Sequence, residues 1–193
     1  MLTIMKRTVF LILLFTTYSF IAQEKITTEK AIINFEASVP FFEEIKAVNR
    51  SVMIILDPKT STLFCAVLMR DFHFKLDLMQ EHFNENYIES HRYPKAVFKG
   101  KIAKFDLKDI DETEKEYLIK GKLIIRGKSK DMLVKAFLKK VYGGIQIKSD
   151  FPITISDFDI EIPDRIASKI AKTANTELSG IIGNDEKVLL SLK

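Results

Sequence analysis

Leu78–Lys101 reads LMQEHFNENYIESHRYPKAVFKGK, and this stretch decides the fold. Met79, Phe83 and Tyr87 fall four apart, the spacing that gathers side chains on one face of a helix, while Glu81, Asn84, Glu85 and Asn86 look elsewhere. Pro94 ends the helix and holds Tyr93 extended. Ala96, Phe98 and Ile102 then alternate with Lys99 and Lys101, as in a half-buried strand. A short helix set among strands needs an apolar surface to close over, and the mouth of a barrel is such a surface.

Outward from this stretch the chain keeps to strands. Ile33, Phe35 and Ala37 oppose Asn34 and Glu36. A long apolar run covers Glu44 to Leu56, and Asp57-Pro58-Lys59-Thr60 makes a turn by composition. Ser61 to Arg70 is apolar on both faces for much of its length, and Asp106 to Lys115 is acidic and turn-like. Tyr117, Ile119, Leu123 and Ile125 alternate with Lys120, Lys122 and Arg126, and Gly127-Lys128-Ser129-Lys130 reads as a tight connection. Val134, Ala136 and Leu138 alternate with Lys135 and Lys139 before the hairpin signal Gly143-Gly144. Ile145, Ile147 and Ile153 carry the next strand, Asp164 to Ala171 suits one or two helical turns, and strand-like pieces follow at Thr176–Ile182 and Val188–Leu192. About eight strands with one clear helix predict an all-β closed antiparallel barrel or a sandwich. One helix cannot supply the crossovers of a parallel α/β sheet.

The composition narrows the class. With 193 residues, 47% hydrophobic and 29% charged, the chain suits one folded domain and not a disordered one. The formal net charge is +4, and Lys6 and Arg7 supply two of those charges. So mild an excess gives no nucleic-acid footprint. Lys6 and Arg7, the apolar run Thr8 to Phe15 and the junction Ala22-Gln23 form the pattern of an export signal. The expected organisation is a signal peptide over 1–22 and a single domain over 23–193, periplasmic or secreted after cleavage near Ala22. A retained anchor is the alternative, with an apolar core that is short for a span. The lone Cys65 makes no internal disulfide and sits in TLFCAVLM as a small buried hydrophobe.

No motif for catalysis or metal binding emerges. His73, His82 and His91 lack the i, i+4 spacing that puts two ligands on one helix face, so no metal site is expected. DFDIEIPD (157–164) reads as a strand with Asp157, Asp159 and Glu161 on a solvated face and Phe158, Ile160 and Ile162 on the other. Neither Gly-x-Ser-x-Gly nor a P-loop occurs. The expectation is a protein that is not an enzyme and has no cofactor.

Three stretches resemble the YceI-like family of exported, lipocalin-like proteins. Leu78–Lys101 is similar to the family's leucine-rich helix, its "YP" and its strand with Phe98. Tyr117–Lys130, YLIKGKLIIRGKSK, is similar to the block G-x-L-T-I-x-G-x-T-K through Gly121, Leu123, Ile125, Gly127 and Lys130, with Ile124 and Ser129 in place of its threonines. Ile147–Pro163, IKSDFPITISDFDIEIP, resembles a late strand that ends D-[FY]-x-I-x-I-P. The resemblance implies an extended eight-stranded antiparallel barrel, and some members hold a long polyisoprenoid chain such as a quinone tail in the lumen.

The expected function is therefore sequestration or carriage of an apolar-tailed lipid, polyisoprenoid or quinone-like. Transient membrane contact and a homodimer stay open. The alternating apolar set would line the lumen: Phe98, Ile102, Tyr117, Ile119, Leu123, Val134, Ala136, Leu138, Ile145 and Ile147. Tyr117 alone among these has a hydroxyl to orient a head group. Met79, Phe83 and Tyr87 either pack on the barrel wall or close over a ligand as a lid. Periodicity does not separate a hollow barrel from a solid one, so a structural or interaction protein with a filled core is the alternative.

Overall fold

Apolar residues at every second position give the long strands their direction in the sheet. Between Lys115 and Ile125 the side chains of Tyr117, Ile119, Leu123 and Ile125 are buried while Lys120 and Lys122 face water. The computed structural model describes residues 25–183. Its strands are β1 (Ile26–Glu36), β2 (Lys46–Asp57), β3 (Thr62–Leu68), β4 (His73–Phe74), β5 (Lys95–Ile102), β6 (Lys115–Ile125), β7 (Lys128–Val141), β8 (Gly144–Thr154) and β9 (Thr173–Ile182). Two short helices are α1 (Asp77–His82), continued by a π turn over Phe83–Tyr87, and α2 (Asp164–Ala167).

The sheet runs β1-β9-β8-β7-β6-β5-β3-β2-β4 and closes through β1–β2, with every pairing antiparallel. Eight strands thus form a closed barrel and the sandwich alternative falls away. Closure leaves these strands no free edge. The two-residue β4 is the addition that alternation did not reveal. It pairs with Ala47 and Val48 of β2, above the point where β3 has left that strand. At the break the fully buried Asn49 donates from Nδ2 to the Leu68 carbonyl (3.0 Å), and its Oδ1 accepts from Ser51 N–H (2.9 Å). One amide thereby replaces missing ladder bonds at a fully buried position.

Two local readings change. DFDIEIPD is no strand: a 3-10 turn spans Ile155–Phe158, and Asp159 is left-handed at φ 52°. That single residue breaks the period of two. The tight connection is Arg126-Gly127, both at positive φ, so Lys128–Lys130 already belong to β7. The strand-like piece Thr176–Ile182 lies within β9 as expected, and there Ser179 pairs with Ile32 and Lys148. The expected signal over 1–22 and the strand-like piece Val188–Leu192 lie outside the described residues.

The connections sort to two ends. Residues 58–61, 103–114 and 142–143 lie at one end, and residues 37–45, 69–94, 126–127 and 155–172 at the other. The first end is packed solid. Leu56, Ile102, Tyr117, Leu138, Ile145 and Ile182 are buried there, Ile110 turns in from the acidic loop, and Phe105 and Leu107 pack against the cluster. The Phe105 ring meets Tyr117 edge-on, 5.8 Å between centroids. Lys140 N–H donates to the Asp111 carbonyl at 2.6 Å and ties the loop to β7.

Candidate ligand cavity

The other end is hollow. A cavity of about 480 Å³ enters the barrel, within the size range of small-molecule sites. Its wall is nearly all hydrocarbon, with Ile33, Val67, Ala96, Met132, Phe151 and Ala174 among the lining residues. Exposed residues at its rim, Phe42, Glu43 and Lys169, show that it reaches solvent. Solid and hollow were rival readings of one barrel, and this barrel is both, one at each end.

The floor rests on a pair of glycines. Gly100 of β5 stands directly opposite Gly121 of β6, and the tip of the Phe98 ring fills the space above both. A Cβ at Gly121 would lie 2.5 Å from the Lys99 carbonyl oxygen and 2.7 Å from Phe98 Cζ. Glycine therefore lets the ring fold inward where a larger residue would hold it off.

Of the ten residues read as lumen lining, the structure brings Phe98, Ile119, Leu123, Val134, Ala136 and Ile147 to the cavity. Ile102, Tyr117, Leu138 and Ile145 do not reach it and belong to the packed end. The boundary is one pleat step: both residues are fully buried, yet Ile147 lines the cavity and Ile145, two residues away on the same face, does not. Tyr117 consequently has no access to a cavity occupant. Desolvation raises its phenol above the ordinary value, which keeps it neutral in the core.

Met79, Phe83 and Tyr87 all line the cavity and are half-buried. Phe83 stacks on Phe35 at 5.8 Å and meets Phe72 at 5.8 Å and Phe74 at 5.0 Å. It packs on the wall beside the mouth. The helix is shorter than the spacing suggests. After His82 it widens into the π turn, where Ile88 N–H donates to the Phe83 carbonyl at 2.9 Å.

Sequence reading missed the aromatic collar Phe35, Phe72 and Phe74, and the cap formed by residues 155–172. Ile155, Ile160, Ile162, Ile166 and Ile170 of the cap all face the cavity. Five isoleucines in a segment outside any long strand were the available signal. Ion pairs hold the cap in place: Lys128 Nζ to Asp159 at 2.6 Å and Lys130 Nζ to Asp157 at 3.0 Å. Arg126 donates to the Asp159 carbonyl and to the Glu89 carboxylate, and so links the β6–β7 turn to the cap and to the helical segment. Glu89 also accepts from Arg92 at 2.5 Å. The hydrogen bonds from Arg126 and then Arg92 hold the Glu89 carboxyl below its usual range.

Polar chemistry inside is sparse. Ser149 Oγ donates to the Lys135 carbonyl at 2.7 Å. Cys65 lines the cavity, and burial pushes its thiol up to about 12, so it is neither thiolate nor nucleophile at neutral pH. His73, His82 and His91 do not converge, and among the described residues no group of three His, Cys, Asp or Glu side chains could hold a metal ion. The arrangement suits burial of an apolar molecule.

A YceI-like domain model matches residues 25–180. No curated protein matches the chain. Among solved structures, a polyisoprenoid binding domain from Saccharophagus degradans, implicated in plant cell wall breakdown, superposes with a TM-score of 0.72 at 10% identity, covering 83% of this chain and 98% of that one. Burkholderia cenocepacia BcnA gives 0.64 at 16% identity, covering 80% and 96%. The Campylobacter jejuni YCEI protein gives 0.50 at 22% identity, covering 68% and 80%. At these identities the likeness is one of fold.

Proposed function

The chain belongs to the YceI-like family, and from that premise we propose that it is a non-enzymatic binding protein that holds an apolar-tailed amphiphile in its barrel. The tail is of the polyisoprenoid or quinone-like class. One observation carries the reading: a cavity of about 480 Å³ walled by hydrocarbon and open at one end. Each buried methylene contributes about 0.8 kcal/mol, so a long tail binds without precise polar recognition. The Saccharophagus degradans domain of like fold, a polyisoprenoid binding domain, supports the ligand class.

The tail enters past the Phe35, Phe72, Phe74 and Phe83 collar and stops at Phe98. The head group stays at the rim, where Glu43, His82 and Lys169 stand. The lumenal contacts are Phe98, Ile119, Leu123, Val134, Ala136 and Ile147. The protein acts after export, in the periplasm or outside the cell, and meets membranes transiently.

Solvent extraction of the purified protein followed by mass spectrometry tests carriage. A prenyl-chain lipid in stoichiometric amount is the expected result. A lipid-free extract, together with no uptake of added polyprenol, would falsify it. Export is tested by the intact mass of the mature chain, which should begin at Gln23.

A further inference from the structure

The loop between β1 and β2 spends conformational strain to place an aromatic ring in water. Val39-Pro40-Phe41-Phe42 forms a turn in which Phe42 N–H donates to the Val39 carbonyl at 3.2 Å. With proline second and positive φ third, this is the pattern of a type II turn, whose third position favours glycine or asparagine. Phe41 occupies it at φ 69° and is fully exposed. A bulky residue in that region is an outlier. Nothing inside the molecule uses the ring.

The loop itself is well held. Ala37 N–H donates to the Ile45 carbonyl at 2.9 Å, and Ile45 N–H donates to Ser38 Oγ at 3.0 Å. Ala171 N–H of the cap donates to the Ala37 carbonyl at 2.9 Å. The ring therefore projects from a braced support.

More exposed apolar side chains stand at the same end. Phe42 is 45% exposed and also lines the cavity. Leu76 and Leu78 are 41% and 61% exposed. They follow β4, which pairs with the start of β2, so the chain carrying them runs beside the chain leaving the Phe41 turn. Lys75 also acts on Glu44 across this gap, after the stronger hold of Lys46 on that carboxylate. The rim that admits a ligand is thus continuous with the apolar projection.

We propose that Phe41, Phe42, Leu76 and Leu78 form a wedge that seats the cavity mouth in the apolar zone of a lipid bilayer. The inference extends the carrier reading and rests on it, since a carrier needs a donor surface. The flanking charges decide the kind of bilayer. Lys46 and Lys75 are offset by Glu43, Glu44 and Asp77, and Lys46 is already paired with Glu36 and Glu44. No basic excess is present to seek anionic head groups, so insertion is by apolar burial and not by charge.

The purified full-length mature protein is mixed with phosphatidylcholine vesicles and sedimented. It should partition to the vesicles with little dependence on salt or on added phosphatidylglycerol. The double variant Phe41→Asn with Leu78→Gln should lose about tenfold or more of that partitioning, through loss of two apolar contacts. It should keep its Tm and its uptake of a polyprenol delivered from detergent, because asparagine suits the left-handed turn position.

A second measurement does not depend on those replacements. The chain has no tryptophan. Phe41→Trp should give emission that shifts to the blue with vesicles, while Tyr142→Trp at the exposed opposite end should not shift. Equal partitioning of the double variant, no partitioning of the parent, or binding that requires anionic lipid each overturns the wedge. Vesicle binding without polyprenol uptake from detergent supports the wedge and sinks carriage instead.

Discussion

The two ends of this barrel are built from the same strands and do opposite things with them. At the packed end, inward residues are large and the acidic loop adds Phe105, Leu107 and Ile110 to the space they leave. At the mouth the connections are long, and they stand around the opening without filling it. The walls are apolar at both ends, with alanines among the cavity's lining residues. Whether a hydrophobic interior becomes core or cavity is decided by what the loops insert, and by the glycine pair that lets Phe98 close the floor.

Substitution tests this contrast most strongly at the packed end. Ile145 is fully buried, and Ile145→Ala should cost about 2–5 kcal/mol in urea denaturation through the hole it leaves. Polyprenol uptake by the folded fraction should not change. A cost as small as that of an exposed site would mean that the packed end is not packed. At the floor itself, Gly121→Ala forces a Cβ against backbone at 2.5–2.6 Å. A loss of about 1–3 kcal/mol is expected, as for overpacking.

The same large residue placed at two heights sharpens the comparison further. Leu138→Trp, below the floor, should destabilise by about 1–3 kcal/mol, and Leu123→Trp, in the cavity wall, by less than about 1 kcal/mol. Only Leu123→Trp should block uptake of a fluorescent polyprenol at saturating ligand. Equal stability costs would erase the distinction between the two ends.

Smaller effects belong to the mouth. Glu89 ionises below its ordinary value of 4.5 because Arg126 and Arg92 hold it. Its contribution is therefore present above that value and is lost as pH falls through the lowered one. Glu89→Gln should lower Tm modestly at neutral pH, loosen ligand retention, and show a difference from the parent that shrinks below about pH 4.5. A difference that grows with acid would contradict the sign. Smallest of all, iodoacetamide should leave Cys65 unmodified in the folded protein at pH 8 and label it on unfolding, since its thiol ionises only near 12.

Much of this architecture is legible in the residues, because a period of two separates inside from outside. Lys99, Lys101, Lys120 and Lys122 mark the outer face without ambiguity, and their neighbours in the chain point inward. Height along the barrel axis leaves no such mark. Ile147 and Ile145, or Ala136 and Leu138, are alike in pattern and differ only in which loop lies beyond them. The cap was hidden for a different reason. Ile160 and Ile162 alternate with acids as a strand would, and only the left-handed Asp159 diverts the chain across the mouth. β4 is too short to carry any period, and its existence depends on the departure of β3 from β2.

The Phe98 floor has a consequence for traffic. A blind vessel fills and empties through a single orifice, so a molecule that goes in tail first must come out head first. Donor and acceptor would then dock in turn at the same rim. The packed end offers a tail no second way out, so the carrier proposed above would serve as a shuttle rather than as a conduit.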